Sequence, residues 1–424
     1  MTPPTDTDVV VCGAGVAGLA AARALGRLGL RVTLIEKKRR QPPVAKGEVL
    51  QPGSLDILDG WDVLHRLESR DAVRLDRLAV RTADGHDLAT MDFTALDCAR
   101  PWMLAHDYTV ILDCLEEALG SNVRRHRGVL AEELMRDGDG RVTGVHVSQD
   151  RRRHSIRARL VVAADGMSSR LRRLAGLTAE PVAYGHKLLS FELTDAPAGA
   201  AEVSAHITRR GLVMVYPLPH RRTRVYVQVG PDELRGMTGT CLKEWCDGLV
   251  ADVPVLEPLT DALQSGLAHR QVLPVWRYCA ASLVGPGFAL VGEAAHGVHP
   301  LSAQGMNTAI GDAHDLANRL AGIDAGRPDA VDGALLAYQH ARARRIKDVH
   351  VMSHNAARMI TQTSWAGRLL GRRLLSRTGR NPRLSHLTAY NMSGLGMRPL
   401  NVVDRLVQLG ALPETRGRSP MPLP

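Results

Sequence analysis

Apolar positions along the 424-residue chain follow two periodicities, and the change between them marks out the architecture. Residues 8–12 form a short apolar run that predicts a buried strand. Residues 16–28 are rich in Ala and Leu at helical spacing and stop near Gly29, and 31–35 predict the next strand. Together they make a strand–helix–strand unit of the right-handed crossover type. A polar, Pro-containing loop covers 37–53, and helical character returns over 54–69. A helix is predicted over 109–119, with strands over 141–147 and 155–163. From 182 to 230 the period falls to two. Alternation dominates over 187–193, 202–208, 212–216 and 224–229 and predicts an antiparallel sheet. A helix over 242–250, a buried strand over 288–291 and helices over 306–321 and 328–349 follow. The rest, as far as 410, is helical and Arg-rich, and the last dozen residues carry no pattern of order.

This alternation of elements predicts an α/β fold in which a discontinuous Rossmann-like domain is interrupted by a β-rich insertion and followed by a helical tail. The expected division gives 1–75, 101–180 and 280–349 to the Rossmann-like domain, 76–100 and 181–279 to the insertion, and 350–424 to the C-terminal helical region. No internal repeat is visible.

Composition narrows the function classes. Hydrophobic residues make up 45% and charged residues 23%, which suits a globular chain with a sizeable core. Aromatic residues are only 4%, with three Phe, so an apolar pocket would be lined mainly by aliphatic side chains and Met. The net charge of +10 comes from scattered Arg without interleaved aromatic residues. That reads as solvated surface, and no nucleic-acid partner is expected. The six Cys include no Cys-x-x-Cys pair and no Cys/His cluster at zinc spacing. No metal is expected, and reduced thiols fit a cytoplasmic protein. The N-terminus has no signal pattern, and no apolar run reaches the length of a membrane span. Arg368, Leu369, Leu370, Arg372, Arg373, Leu374 and Leu375 fit a basic amphipathic helix. Packing against the body is the favoured reading, with weak membrane-surface contact as the alternative. Oligomeric state is not legible.

The loop Gly13-Ala14-Gly15-Val16-Ala17-Gly18 carries the first chemistry. Gly13 permits a tight turn, Gly15 lets backbone approach a pyrophosphate, and Gly18 lets helix and strand pack closely. The helix N-terminus offers N–H groups and a positive dipole to phosphates. Glu36, with Lys37 beside it, ends the second strand, where a carboxylate accepts hydrogen bonds from ribose hydroxyls. The loop predicts a dinucleotide site without separating NAD from FAD.

Three later segments make that distinction. Asp165-Gly166-Met167-Ser168-Ser169-Arg170-Leu171-Arg172 follows a strand, turns sharply and ends on a fixed cation. Gly292-Glu293-Ala294-Ala295-His296 follows the next. His299-Pro300-Leu301-Ser302-Ala303-Gln304-Gly305-Met306-Asn307, followed by Asp312-Ala313, opens a helix whose N–H groups suit the pyrimidine edge of a flavin. In this order the segments resemble those of the single-component FAD-dependent monooxygenases, a group that includes para-hydroxybenzoate hydroxylase. The motifs are most similar to those of the ubiquinone-biosynthesis hydroxylases and squalene epoxidases, and the resemblance spans residues 8–345. Gly47-Glu48-Val49-Leu50-Gln51-Pro52-Gly53 is similar to a segment that passes the flavin in those groups.

The resemblance implies a glutathione-reductase type of FAD-binding domain with an inserted substrate domain. It assigns cofactor contact to the glycine loop, Glu36, Lys37, Gln51, Asp165, Gly166, Arg172, Gly292, Glu293, Pro300, Gln304, Gly305, Met306 and Asn307. It also implies that NAD(P)H reduces FAD, and that O₂ then forms a flavin C4a-hydroperoxide that hydroxylates or epoxidises the substrate. His299 and Pro300 are the expected catalytic positions, with His296 a second candidate acid or base. The expected substrate is small and hydrophobic, of quinone-like, polycyclic or terpenoid type. Tyr184, Phe191, Met214, Tyr216, Tyr226 and Gln228 alternate along the expected sheet, and Met214, Tyr216 and Gln228 are expected to bind the substrate. A non-oxygenating flavoenzyme (reductase, dehydrogenase or cyclase) and a redox-inactive binding protein use the same motifs.

The chain departs from the family twice. Glu293 stands where the family has Asp. No Arg occurs between Arg100 and Arg124, where many relatives carry one that contacts the cofactor, which leaves Lys46 or Arg100 as its stand-in.

Overall fold

The computed structural model describes residues 4–41, 47–196 and 199–413. Strands Phe288–Leu290, Arg152–Ala163, Asp6–Cys12, Val32–Glu36 and Val123–Arg127 lie side by side in that order, all parallel. Both faces are covered, so Val9, Val10, Val11 and Cys12 are all buried and the strand reads as an unbroken apolar run. Helix Val16–Gly26 packs on helix Gln304–Leu320, which returns from far along the chain. Strands Val129–Arg136 and Val142–Gln149 extend the sheet in antiparallel fashion beside Arg152–Ala163.

The alternating segments join a second sheet of eight strands. Its order is His296–Gly297, Gln271–Cys279, Val182–Leu193, Arg222–Val229, Gly211–Leu218, Glu202–Thr208, Arg77–Thr82 and Asp87–Asp92. Neighbours are antiparallel except Glu202–Thr208 and Arg77–Thr82. Period-two alternation sends its side chains into two separate cores. Leu189, Phe191, Val213, Val225 and Val227 are buried with residues of helices Gly239–Asp252 and Thr260–Gly266. Leu188, Met214, Tyr216 and Tyr226 are buried on the opposite face with Ile360, Leu375 and Ala389 of the C-terminal helices. A three-stranded sheet, Val49–Leu50, Met103–Ala105 and Val73–Leu75, shares the second core through Val49, Leu75 and Met103.

Several elements differ from the expectation. The helix over 54–69 is two helices, Pro52–Asp59 and Leu64–Glu68, interrupted where Asp62 adopts φ +60°. Strand Val123–Arg127 is an edge strand of sequence Val-Arg-Arg-His-Arg, and its charges hid it. Arg125 and Arg127 are both held at 2.6 Å by Glu116. Strand Gln271–Cys279 contains Pro274, which argues against a strand at the level of sequence. Helix Pro328–Ile360 runs 33 residues and carries the chain past position 349 without a break. The tail continues as helices Trp365–Arg380, Pro382–Met392 and Val402–Leu409. The last dozen residues, all but Pro413, lie outside the described residues, as does Lys46. Among the described residues, no helix is long and apolar enough to cross a membrane.

Candidate active site

Strand Asp6–Cys12 delivers the chain into the glycine turn. Gly13 sits at φ +110°, and a Cβ there would lie 2.3 Å from the carbonyl oxygen of Ala164. A Cβ on Gly18 would lie 1.7 Å from the carbonyl oxygen of Gly13. A Cβ on Gly292, at φ +60°, would meet the Cβ of Ala17 at 2.5 Å. At Gly13, Gly18 and Gly292, therefore, the neighbouring segments approach so closely that no side chain fits. Among the described residues, the helix that starts at Val16 has no side-chain cap and no acid in its first turn, which leaves its leading N–H groups and positive dipole end open to an anion. Glu36 is fixed at the rim, its carboxylate accepting from Ala14 N and Lys38 N, each at 2.8 Å. Lys37 is exposed. A tight backbone cradle, an uncapped helix end and an immobilised carboxylate fit the ADP half of FAD.

The second and third segments brace this cradle from below. Asp165 accepts from the Ser169 hydroxyl (2.5 Å) and from the N–H groups of Arg170 (2.9 Å) and Leu171 (3.2 Å), which fixes the Gly166 turn. Arg172 is buried and donates to the carbonyls of Ala294 (2.7 Å) and Met167 (3.1 Å), tying that turn to the Gly292 segment. Its Nε is buried with no hydrogen-bond partner among the described residues. Asp312 is fully buried and was absent from the expected site residues. It accepts from Gly292 N (2.9 Å), His296 Nε2 (2.7 Å) and Arg342 Nε (2.9 Å). Burial pushes the Asp312 carboxyl up, but His296 and Arg342 outweigh it and hold the group below the usual carboxylate range. His296 is thus engaged in fixing the turn. Glu293 is half-buried, and its carbonyl accepts from the Tyr278 hydroxyl at 2.7 Å.

The loop 47–53 and the segment 299–307 are locked together by side chains. Gln51 N donates to Asn307 Oδ1 (2.9 Å), and Asn307 Nδ2 donates to the Val49 carbonyl (3.0 Å). Gln304 Nε2 bridges Gln51 Oε1 (2.8 Å) and the carbonyl of Met392 (2.9 Å). Gly53 N donates to the Ser393 carbonyl at 2.8 Å, so the tail helps to hold this loop. The side chains of Gln51, Gln304 and Asn307 are therefore committed to positioning, and the backbone is what they present. Helix Gln304–Leu320 starts at Ala303, at φ +48°, without a side-chain cap. Cβ atoms built on Gly305 and Gly166 meet nothing within 4 Å. Met306 packs against Gly47, and Pro300 is exposed. A second uncapped helix end bordered by open space suits the electron-rich edge of a flavin.

His299 is fully buried beside Pro300. Its Nδ1 accepts from Leu301 N (3.1 Å), so its Nε2–H points at His186 Nε2, 2.9 Å away. The Tyr184 ring meets His299 edge-on at 4.8 Å, and its hydroxyl bonds His354 Nδ1 at 3.1 Å. Burial, with smaller contributions from His186 and His354, lowers the His299 pKa to about 3, and burial lowers that of His186 as well. These depressed values set an acid limit. Below the ordinary histidine pKa of about 6.5 the unfolded chain takes up protons that the folded chain refuses. Stability is fully present above that pH and is lost on acidification until His299 itself titrates. The Asp312 contribution is lost only below about pH 3.9, a separate window. The urea midpoint is expected to fall between pH 6.5 and 4.5, and His299→Asn should flatten that slope by up to about 1.4 kcal/mol per pH unit. An unchanged slope in the variant would remove His299 from this account.

Met214, Tyr216 and Gln228 share the sheet face that looks toward the C-terminal helices. Met214 lies in the apolar cluster there. Gln228 accepts from Leu212 N (3.0 Å) and donates to the Thr361 carbonyl (2.9 Å). Phe191 points into the opposite core and does not belong with them. Tyr216 donates to Glu48 at 2.8 Å, and Arg224 binds the same carboxylate at 2.5 and 2.9 Å, all three residues buried. This pair, which joins the 47–53 loop to the sheet, was not among the expected site residues. Little in the sequence signals it, since Arg224 follows Arg221, Arg222 and Thr223 and reads as one more surface charge. Tyr108, also unexpected, starts helix Tyr108–Glu117, with its hydroxyl 3.4 Å from a Cβ built on Gly15. Arg100 is held by Asp56 (2.9 Å) and Asp59 (2.5 Å) on helix Pro52–Asp59, so it does not stand in for the missing Arg.

The family model described as "FAD binding domain" matches residues 6–353. The chain is 29% identical to 6-methylpretetramide 4-monooxygenase of Streptomyces rimosus, over 73% of this chain and 75% of that protein. It is 25% identical to squalene monooxygenase of Mus musculus over 73% of this chain, where it spans only 54% of the relative. Its fold is similar to that of p-nitrophenol 4-monooxygenase PnpA from Pseudomonas putida DLL-E4, with a TM-score of 0.77 at 22% identity, covering 93% of this chain and all of that one.

Proposed function

The chain belongs to the FAD-binding monooxygenase family, and from that premise we propose that it hydroxylates or epoxidises a hydrophobic small molecule held against the apolar face of its antiparallel sheet. The observation that carries this reading is the convergence of loop 47–53 and segment 299–307 beside the face that bears Met214, Tyr216 and Tyr226. FAD, reduced by NAD(P)H, supplies the activated oxygen when bound. In this reading the turn 13–18 holds the pyrophosphate, Glu36 the ribose, and the helix end at Gly305–Asn307 the ring edge. Asp165, Arg172 and Asp312 keep those backbone segments in register. The aliphatic lining and the tail helices exclude water from the reacting centre. The substrate classes favoured are quinone-like, polycyclic or terpenoid, because this face is apolar and Leu-, Val- and Met-rich.

The test is turnover under ¹⁸O₂ with FAD, NADH or NADPH, and a panel comprising a polycyclic phenol, a ubiquinol analogue and squalene. The expected product carries one heavy oxygen atom. A product formed without label would make the chain a non-oxygenating flavoenzyme.

A further inference from the structure

We propose that the outward face of helix Trp365–Arg380 is a docking surface for a lipid bilayer bearing anionic headgroups. Between Asp348 and Asp404 the chain has no acidic residue and eight Arg: Arg358, Arg368, Arg372, Arg373, Arg377, Arg380, Arg383 and Arg398. The surplus of Arg is therefore concentrated in this stretch and not scattered along the chain as its composition suggested. Within it, Trp365, Leu369 and Leu370 are 73%, 54% and 55% exposed. Their spacing of four and five residues puts them on one side of the helix, and Arg372, Arg373 and Arg380 continue that side toward its C-terminus.

The helix cannot hide this face by rolling inward. Gly371 lies so close to the body that a Cβ would be 2.1 Å from the Met359 carbonyl oxygen, and one on Gly379 would be 2.3 Å from that of Leu88. Leu375 and Thr378 are buried on the same inner side, and Ser364 caps the start by accepting from Gly367 N. The rotation is therefore fixed by backbone contact, and the Trp and Leu side chains are presented outward. The neighbouring helix Val402–Leu409 adds exposed Val402, Val403 and Leu409, and its closing Gly410 abuts the Arg377 guanidinium.

The chemistry of this face selects a bilayer interface. Trp suits the headgroup level, Leu the acyl boundary, and Arg reaches back to phosphates while its stem stays apolar. Among the described residues no carboxylate pairs with Arg372, Arg373, Arg377 or Arg380, so their charge is available to lipid phosphate. The helix is too short and too charged to span, so contact is lateral, along the surface.

The full-length FAD-loaded protein is to be sedimented with vesicles of phosphatidylcholine alone and of equimolar phosphatidylcholine and phosphatidylglycerol. Binding to the anionic vesicles should exceed that to the neutral ones by about tenfold and fall as salt is raised. The triple variant Trp365→Ser, Leu369→Ser, Leu370→Ser should lose about tenfold in binding, with FAD content and melting temperature unchanged. Arg372→Gln with Arg373→Gln should weaken only the anionic preference. Absence of binding to anionic vesicles, or binding that the triple variant keeps, overturns the proposal. So does a self-associated state that the triple variant disperses without any vesicle binding, which would give the face to a second copy of the chain.

Discussion

Gly18→Ala is expected to yield a folded protein that no longer retains FAD. A single methyl group suffices, because the added Cβ would sit 1.7 Å from the Gly13 carbonyl oxygen and 3.3 Å from the Ala164 Cβ. Neither neighbour can swing aside. The first is backbone of the turn itself, and the second belongs to the strand end that carries Asp165. Overpacking that a core can relieve costs about 1–3 kcal/mol. Here relief requires opening the turn, and the turn is the binding element. The penalty therefore falls on the FAD-bound state as much as on the fold, and the dissociation constant should rise by about 100-fold, equivalent to roughly 2.7 kcal/mol. Titration of apo-protein with FAD measures it, with circular dichroism as the check on folding. Gly85→Ala is the control, since it lies in the turn between Arg77–Thr82 and Asp87–Asp92 and nothing lies within 4 Å of its added Cβ. Its φ of +88° predicts a cost of only about 1–2 kcal/mol. Equal affinity in Gly18→Ala and the parent would take the glycine turn out of the cofactor site.

How much of this was legible beforehand depends on whether local sequence decides the feature. The strand–turn–helix at residues 6–26 was readable because two buried faces demand an unbroken apolar run and the turn demands glycine at Gly13 and Gly18. The substrate sheet was readable as alternation, but alternation within single strands left Phe191 grouped with Met214, because only the pairing register puts them on opposite faces. It could not say which parity faces the C-terminal helices, because that depends on packing partners 150 residues away. Asp312 illustrates the same limit from the other side. It reads as one more polar residue on an amphipathic helix, and only the fold brings Gly292, His296 and Arg342 to it. Strand Val123–Arg127 was missed because an edge tolerates the charges that patterning treats as breakers, and Gln271–Cys279 because Pro274 lies beyond the reach of its short outer neighbour His296–Gly297, which pairs only with Tyr278 and Cys279. The tail gave no sign of touching the cofactor loops, yet Met392 and Ser393 accept hydrogen bonds from Gln304 and Gly53.

The buried pair of Glu48 and Arg224 should produce the second large effect. Arg224→Leu removes a guanidinium held by Glu48 at 2.5 and 2.9 Å and by the half-exposed Glu192 at 2.9 Å, and among the described residues it leaves Glu48 buried with the Tyr216 hydroxyl at 2.8 Å as its remaining side-chain donor. Stranding one member of a buried ion pair typically costs about 3–5 kcal/mol, most of it desolvation of the survivor. Removing both charges is far cheaper, so Glu48→Leu combined with Arg224→Leu should recover much of the stability lost by Arg224→Leu alone. Denaturant unfolding of the two singles and the double measures this, and additive losses would show that the pair is not coupled. Glu48, through Arg224 and Tyr216, ties loop 47–53 directly to the substrate sheet, so recovered stability should not bring back recovered function. In the double variant the loop is still braced to 299–307 through Gln51 and Asn307, and FAD should still bind. What is lost is the registration of that loop against Met214 and Tyr216 across the substrate face. The double variant should therefore oxidise NAD(P)H and consume O₂ while the fraction of oxygen delivered to substrate falls by about tenfold, in keeping with the sensitivity of catalysis to displacements of about 1 Å. Stability restored together with full coupling would reduce the pair to a packing device.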